Sequence, residues 1–260
     1  MGTGNLQGEI VLVTGASSGI GAACARAFAR RGAKLLLAAR RIERLEAMRP
    51  GLEKDGAADT RCLKLDVRDA DAVSTSIEAL PADWKEIEVL VNNAGLSRGL
   101  GKLHEADVAD WEEMIDTNVK GLLYVDRAVV PLLARRRRGT VVHIGSIAGR
   151  ELYPGGNVYC ATKHAVRALT EGLRIDLLGT GVRVVSVDPG LVESEFGVVR
   201  FRGDERRAAA AYEGMTPLSA DDVAEVVLFA ATRPPHVNVA EVLVLPVDQA
   251  GANFVHRGQD

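Results

Sequence analysis

The sequence predicts an α/β fold: one doubly wound sheet of about seven parallel strands, with helices on both faces. Short segments rich in β-branched residues alternate with helical patterns along the chain, which is typical of parallel βαβ units. The strand segments are apolar throughout rather than at every second residue, as expected of strands covered on both faces. Because no linker, repeat or composition shift divides the 260 residues, we expect a single domain over 1–260.

The first βα unit begins with Glu9–Val13, a short apolar strand that leads into T-G-A-S-S-G-I-G and an alanine-rich helix. Gly15, Gly19 and Gly21 allow a tight turn and a close approach of the backbone to a ligand. The free N–H groups at the start of the helix attract an anion. A strand before the glycines and a helix after them favour pyrophosphate binding over a glycine turn without a ligand.

The second predicted strand, Lys34–Ala39, ends in the pair Arg40 and Arg41. In dinucleotide-binding units an acidic residue about 20 residues after the glycines binds the ribose 2′-hydroxyl, whereas arginine suits a 2′-phosphate. Guanidinium groups bind phosphate well, so the cofactor NADP is favoured over NAD. The alternative is that the two arginines only begin an exposed helix.

Five further strands are expected, with helical patterns between them. They are Arg61–Leu65, Ile87–Val91, Thr140–Ile144, Val182–Val187 and Glu241–Leu245. Open parallel sheets bind ligands outside the carboxyl ends of their strands. The residues expected at these ends are Asp66, the N-N-A-G segment 92–95, Gly145 with Ser146, and Pro189 with Gly190.

A tyrosine and a lysine follow the fifth strand at a spacing of one helical turn. Tyr159 and Lys163 would lie on one helix face. A nearby ammonium favours the phenolate, so we expect it to lower the pKa of Tyr159, as a general acid/base near neutral pH requires. The spacing alone is a weak signal, because tyrosine and lysine fall four residues apart by chance in many surface helices.

Composition excludes several other classes of protein. The net charge of −3 gives no basic footprint for nucleic acid, and the run Arg135–Arg138 is interpreted as the solvated end of a helix. Three cysteines without a C-x-x-C pair indicate neither a disulfide framework nor a zinc site, and the five histidines lack metal-ligand spacing. The N-terminus lacks a signal-peptide pattern and no apolar run approaches about 18 residues. We therefore expect a cytoplasmic protein that binds no metal and no membrane.

These motifs resemble the short-chain dehydrogenase/reductase family. T-G-A-S-S-G-I-G matches its cofactor loop, N-N-A-G its central-strand motif, and P-G-L-V-E-S the segment that closes over the nicotinamide. Asn118, Ser146, Tyr159 and Lys163 fall in the family's Asn-Ser-Tyr-Lys order. The match runs from about residue 9 to about residue 250, and it implies a Rossmann-type fold and an NADP-dependent oxidoreductase.

The resemblance implies a role for each of the four catalytic residues. Tyr159 would exchange the proton of the substrate oxygen, and Ser146 would orient that oxygen. Lys163 would hold the nicotinamide ribose and lower the pKa of Tyr159. Asn118 would hold a water that links the lysine to solvent. The cofactor carries the hydride, so no metal is required.

The expected cofactor-binding residues come from the same motifs. Ser194 stands where many members have threonine, and its hydroxyl retains the contact with the carboxamide. A substrate lid is expected over about 191–215, including the charged segment 196–212. The cofactor-binding set is Gly15, Ser17, Ser18, Gly19, Ile20, Gly21, Arg40, Arg41, Asp66, Val67, Asn93, Ala94, Gly95, Tyr159, Lys163, Pro189, Gly190, Val192 and Ser194.

The second half of the chain is similar to the NADP-dependent 3-hydroxy acid dehydrogenases that act on serine and L-allo-threonine. The resembling segments are Y-P-G-G-N-V-Y, V-R-F-R-G-D, P-x-H-V-N and the closing V-H-R. A small substrate with a carboxylate would require a cation, for which Arg98, Arg150 and Arg200 are the candidates. The alternatives are a carbonyl reductase of broader specificity and a non-catalytic NADPH-binding protein.

Family members are usually tetramers, so the resemblance implies a homo-oligomer. The apolar residues of Val119–Leu133 and Ala165–Leu178 are consistent with subunit contacts. They are equally consistent with packing in the core.

Overall fold

The computed structural model describes residues 6–258, and a single sheet of seven parallel strands runs through them. The strands are β1 (Ile10–Thr14), β2 (Lys34–Ala39), β3 (Asp59–Lys64), β4 (Ile87–Asn92), β5 (Gly139–Ile144), β6 (Val182–Pro189) and β7 (Glu241–Val244). Their order in the sheet is β3-β2-β1-β4-β5-β6-β7. All seven predicted strands are present, and the predicted fold class is confirmed. The first five residues, part of the N-terminal segment interpreted above, lie outside the described residues.

Nine α-helices connect the described strands and flank the sheet. They are α1 (Gly19–Ala29), α2 (Ile42–Asp55), α3 (Ala70–Glu78), α4 (Val108–Ile115), α5 (Leu122–Arg136), α6 (Asn157–Asp176), α7 (Glu195–Arg200), α8 (Glu205–Ala209) and α9 (Ala220–Ala231). The helices α1, α2 and α9 pack with one face of the sheet, around Phe28, Leu45 and Val227. On the other face, α3 and α5 pack around Val73, Val129 and Leu133.

The order of the strands places a crevice beside β1. The chain builds β1, β2 and β3 toward one edge, then crosses back to place β4 on the other side of β1. The connections after β1 and β4 therefore diverge at the carboxyl ends of these strands, where doubly wound sheets bind ligands. Every residue of β1 and β5 is buried, so the strands supply a rigid frame for that crevice.

A π-helical segment, Asp116–Gly121, separates α4 from α5. The sequence pattern predicts one continuous helix here, with Asn118 inside it. Single π-helical turns within α-helices are rare and frequently lie at functional sites. The bulge turns the buried side chain of Asn118 toward the fourth strand's loop, as its hydrogen bonds below demonstrate.

The arginine run at the end of α5 is only partly solvated. Arg136 is 17% exposed and pairs with Glu86 and Glu88, with N–O distances of 2.8 and 3.4 Å. Arg138 pairs with Glu88 at 2.6 Å. The interpretation as a solvated helix end is therefore wrong for Arg136, because acidic residues far away in sequence fold against it, whereas the Arg138 side chain is 50% exposed and agrees with it.

No helix within residues 6–258 is both long enough and apolar enough to cross a membrane. In that same part of the chain, no cluster of three or more His, Cys, Asp and Glu side chains could hold a metal ion.

Candidate active site

The turn between β1 and α1 requires its glycines. Gly15 and Gly19 have positive φ angles of 64° and 52°, which side chains rarely adopt. A Cβ on Gly15 would lie 2.9 Å from Ala94 Cα, and one on Gly21 would lie 2.5 Å from the Gly15 carbonyl oxygen. Gly21 does not line the cavity described below. It lets α1 pack closely against the turn, whereas Gly15 and Gly19 shape the surface that a ligand would contact.

A hydroxyl at the end of β1 fixes the N-N-A-G segment beside this turn. Thr14 Oγ1 accepts hydrogen bonds from the backbone N–H groups of Asn93 and Ala94, both at 3.0 Å. Asn93 Nδ2 donates to the Thr14 carbonyl at 2.9 Å. The two loops at the diverging strand ends are therefore held together as one rigid floor.

A cavity of about 550 Å³ opens over this floor, within the size range of small-molecule sites. Its lining fits a dinucleotide, since it includes glycines of the β1–α1 turn and the two arginines that follow β2. Of the predicted cofactor-binding residues, all except Gly21 line it: Gly15, Ser17, Ser18, Gly19, Ile20, Arg40, Arg41, Asp66, Val67, Asn93, Ala94, Gly95, Tyr159, Lys163, Pro189, Gly190, Val192 and Ser194.

Arg41 lies at the end of the cavity where a 2′-phosphate is expected. Its Nε and Nη2 donate to Ser17 Oγ at 3.3 and 3.2 Å, and Nη2 also donates to Ser18 Oγ at 2.9 Å. Its Nη1 pairs with Glu195 at 3.0 Å. Asp66, two residues beyond β3, is held by Arg68 at 2.6 Å, and hydrogen bonds from that guanidinium keep the pKa of Asp66 below its usual value.

Tyr159 and Lys163 lie on one face of α6, at the carboxyl end of β5. Both are buried, with exposed fractions of 8% and 7%. Lys163 Nζ lies 6.0 Å from the centre of the Tyr159 ring and donates to the Ile144 carbonyl at 2.8 Å. Ser146 lies just after β5 and lines the same cavity. The structure therefore brings together a hydroxyl, a phenol and an ammonium.

Asn118 supports this group through hydrogen bonds to the loop after β4 and to α6. Its Oδ1 accepts from the Leu96 N–H at 2.8 Å, and its Nδ2 donates to the Leu96 carbonyl at 2.8 Å and to Thr162 Oγ1 at 3.0 Å. Asn118 itself does not line the cavity, although Thr117 does. Its side chain ties the π-helical segment to α6 and to the loop after β4.

Burial moves both titratable groups away from their charged forms. It raises the pKa of Tyr159, with Tyr153 acting in the same direction and Arg200 opposing it. It lowers the pKa of Lys163 to about 8, with Asp188 opposing it. The expected lowering of the Tyr159 pKa is therefore wrong, because the loss of hydration outweighs the charge of Arg200.

Two of the three candidate substrate arginines are already engaged by carboxylates. Arg98 pairs with Glu113 at 2.6 Å, and Arg150 pairs with Asp188 at 2.7 Å and Glu241 at 2.6 Å. Neither guanidinium lines the main cavity. The structure does not support Arg98 or Arg150 as a substrate contact, because each neutralises acidic groups of the fold.

Arg200 differs from both. It lines the cavity, donates to Ser97 Oγ at 3.0 Å and to the Tyr153 hydroxyl, and its guanidinium carbon lies 5.3 Å from the centre of the Tyr159 ring. It pairs with no carboxylate among residues 6–258 at salt-bridge distance. A cation of fixed position therefore faces the tyrosine and still lacks an anionic partner.

Sequence reasoning missed several residues of the cavity wall. Tyr153 belongs to the Y-P-G-G-N-V-Y segment and was given no role, although it holds Arg200. Glu195, Gln249 and Arg257 also line the cavity. Arg257 belongs to the closing V-H-R segment but was given no role. No motif or spacing indicated Glu195 or Gln249.

Comparisons with known proteins agree with this geometry. The family model described as short chain dehydrogenase matches residues 9–204. An "NADP-dependent 3-hydroxy acid dehydrogenase" of Schizosaccharomyces pombe is 46% identical over 98% of this chain and 98% of its own. A "Sulfoacetaldehyde reductase 2" of Chromohalobacter salexigens is 47% identical, over 95% and 97%.

A solved structure is similar over nearly its whole length. The closed form of a serine dehydrogenase complexed with NADP+ superposes with a TM-score of 0.90 at 45% identity, covering 96% of this chain and 100% of that one. The glycine turn, the N-N-A-G segment and the Ser-Tyr-Lys group, together with these matches, lead to one conclusion: the chain belongs to the short-chain dehydrogenase family.

Proposed function

We propose that the protein is an NADP(H)-dependent oxidoreductase that interconverts a small 3-hydroxy acid and its semialdehyde or ketone. The names of similar proteins support the cofactor and the substrate class. Arg40 and Arg41 support NADP over NAD, because guanidinium groups suit a 2′-phosphate. The Arg200 guanidinium beside Tyr159 is the observation that carries the substrate class.

The cofactor would lie along the cavity, with its phosphates on the glycine turn and its 2′-phosphate near Arg40 and Arg41. Ser194 and Lys163 would hold the nicotinamide end. The cofactor, when bound, would supply the acceptor or the donor of the hydride that the reacting carbon loses or gains. The protein's own residues then have to move a proton at the substrate oxygen.

Tyr159 would perform that proton transfer, with Ser146 orienting the substrate oxygen. In oxidation the Tyr159 phenolate takes the hydroxyl proton as the C–O bond becomes a carbonyl, and in reduction the phenol gives the proton back. The Ser146 hydroxyl orients the oxygen. At pH 7 Lys163 remains mostly protonated, since its pKa is about 8, and its charge supports the phenolate, as does that of Arg200.

Arg200 would bind the substrate carboxylate. In a 3-hydroxy acid the carboxylate carbon is two carbon–carbon bonds from the reacting carbon, so both groups fit between one guanidinium and one tyrosine. Ser97 and Tyr153 fix the guanidinium without neutralising it. The site therefore holds a preorganised charge that only an anionic substrate satisfies.

The test is an assay of the purified protein with NADP and with NAD against L-serine, L-allo-threonine, 3-hydroxyisobutyrate and 3-hydroxypropionate. We expect turnover with NADP, and we expect Arg200→Met to raise KM for the acids by about 10- to 100-fold, the value of a charged hydrogen bond. Arg202→Met is the matched control, because Arg202 is exposed and paired with Asp110. A stronger preference for NAD would contradict the assignment of Arg40 and Arg41.

The same assay distinguishes the other functions. A sulfonate is also an anion that Arg200 would bind, so sulfoacetaldehyde is included as a substrate of a second candidate activity, supported by one similar protein. Turnover of bulky neutral ketones without any acid would indicate a broad carbonyl reductase. Binding of NADPH with no turnover, and no effect of Tyr159→Phe, would indicate a non-catalytic protein.

The assembly that fits best is a cytoplasmic homo-oligomer, a tetramer by family resemblance. Exposed apolar side chains at the β7 end of the sheet support subunit contacts, among them Leu243 and Val247. The three cysteines, all free, suit a reducing compartment. The segment 191–215 is proposed as a lid within a single domain, since residues of α7, together with Ala211 and Tyr212, line the cavity.

A further inference from the structure

Glu195, the first residue of α7, contacts the arginine that is expected to bind the 2′-phosphate. Glu195 Oε2 accepts from Arg41 Nη1 at 3.0 Å, and Glu195 Oε1 accepts from Arg44 Nη1 at 2.6 Å. One carboxylate therefore bridges two guanidinium groups. These two contacts join residues 154 and 151 positions apart in sequence, so they are contacts of the tertiary fold.

Every donor nitrogen of the Arg41 fork already has a protein partner. Nε and Nη2 donate to the hydroxyls of Ser17 and Ser18, and Nη1 donates to Glu195. Burial opposes ionisation of Glu195, but hydrogen bonds from Arg44 and Arg41 keep its pKa below the usual value. The arginine expected to bind the cofactor's 2′-phosphate therefore carries a resident anion.

We propose that Glu195 competes with the 2′-phosphate for Arg41 and thereby sets how strongly the protein prefers NADP to NAD. A phosphate brought to Arg41 would face the Glu195 carboxylate, and like charges around one guanidinium repel each other. The phosphate carries the larger charge, so it takes Arg41 while Glu195 keeps Arg44. This proposal rests on NADP being the cofactor.

The competition for Arg41 also links the cofactor site to Arg200, the residue proposed to bind the substrate. Glu195 begins α7 and Arg200 ends it, and six residues of helix span about 9 Å. Release of Glu195 from Arg41 therefore removes a contact that holds the start of the helix on which Arg200 is carried.

Adenosine fragments test the proposal without the nicotinamide. The dissociation constants of 2′,5′-ADP and 5′-AMP are measured by titration calorimetry at fixed ionic strength, because the two ligands differ only in the 2′-phosphate. We expect Glu195→Gln to bind 2′,5′-ADP about 3- to 10-fold more tightly, as follows from losing two half-exposed ion pairs. Its affinity for 5′-AMP should stay within about twofold.

Glu193→Gln is the matched control, since Glu193 is an exposed neighbour that makes no ion pair within the described residues. It removes the same charge and should leave both affinities within about twofold. Glu195→Ala should act in the same direction as Glu195→Gln, which guards against an effect of the new amide. An unchanged unfolding temperature establishes that the variants are folded.

Two outcomes overturn the proposal. Weaker or unchanged binding of 2′,5′-ADP by Glu195→Gln would mean that Glu195 positions Arg41 or has no influence on it. If the unsubstituted protein does not bind 2′,5′-ADP more tightly than 5′-AMP, the NADP assignment itself fails and the role of Glu195 fails with it. The first failure is seen in the Glu195→Gln variant, and the second is seen in the unsubstituted protein, so the two are distinguishable.

Discussion

The Tyr159 hydroxyl is buried, and its role as a general acid/base depends on how burial and the nearby Arg200 set its pKa. Burial raises its pKa, while Arg200 lowers it. Tyr159→Phe removes only the hydroxyl, so we expect turnover to fall by about 10²- to 10⁴-fold, the usual contribution of a general acid/base. NADPH affinity, measured by fluorescence titration, should change little.

Tyr153→Phe is the matched control for that experiment. Tyr153 lines the same cavity and its hydroxyl accepts from Arg200. The substitution should raise KM for an acidic substrate and leave kcat within about tenfold, because the hydroxyl is assigned no proton transfer. Equal losses of kcat in the two variants would contradict the assignment of Tyr159 as the acid/base.

The buried ammonium of Lys163 is expected to lower the free energy of unfolding. Its folded pKa of about 8 lies below the ordinary 10.5, so the folded state disfavours the ammonium. The cost is complete below pH 8, falls as pH rises toward 10.5 and vanishes above it. Lys163→Met should therefore raise the free energy of unfolding at pH 7, by on the order of 1–3 kcal/mol.

The difference between Lys163→Met and the unsubstituted protein should shrink at pH 10. Denaturant titrations at pH 7 and pH 10 measure both values. A stabilisation independent of pH would show that the methionine acts through packing rather than through the buried charge.

At the level of residues, the sequence predicted those parts of the site whose residues lie close together in the chain. The glycines and the Tyr159–Lys163 pair are defined by spacings of a few residues, and all of these except Gly21 line the cavity. The substrate arginines could not be separated in the same way. Arg98 and Arg150 are neutralised by carboxylates 15, 38 and 91 residues away, and nothing in the sequence states which distant groups meet.

Among the elements, α7 is the one on which the substrate end depends. Ser194 caps it, with Oγ accepting from the Phe196 N–H at 3.3 Å. Because α7 has only six residues, the helix has little stability beyond its cap and contacts. Ser194→Ala should cost about 0.5–2 kcal/mol locally, seen as faster amide hydrogen exchange over 195–201.

Ser194→Thr is the control, since threonine keeps the hydroxyl and the cap. Exchange in α9, which Ser219 caps independently, should be unaffected in both variants. Uniform acceleration over the whole chain would mean that the alanine lowers global stability rather than loosening α7.

The helices and strands also differ in how accurately the sequence predicted their positions. The strands were predicted within about two residues because their apolar, β-branched composition is continuous. The π-helical segment was not, because its residues fit the same pattern as α4 and α5. Asn118 in this segment hydrogen-bonds Leu96 and Thr162. Both partners lie outside the helix, so the helix's own sequence pattern does not reveal these contacts.

For the whole molecule, the two edges of the sheet are unlike. The edge strand β3 exposes Asp59, Arg61 and Lys64, and charged side chains discourage pairing with another chain. The edge strand β7 instead exposes Leu243, at 43%. The order of the strands, which the alternation of strand and helix did not specify, is what brings these residues to the two edges.

The apolar edge at β7 therefore predicts an interface between copies of this chain. Val247, three residues beyond β7, is fully exposed; burying such a side chain stabilises association by roughly 1.5–3 kcal/mol. Val247→Lys should place a charge in that interface and lower the molar mass measured by light scattering after size exclusion. Leu103→Lys is the control, because Leu103 is similarly exposed, at 54%, but lies in the loop before α4. If Val247→Lys keeps the mass of the unsubstituted oligomer, or if the unsubstituted protein is already a monomer, the β7 edge is not the interface.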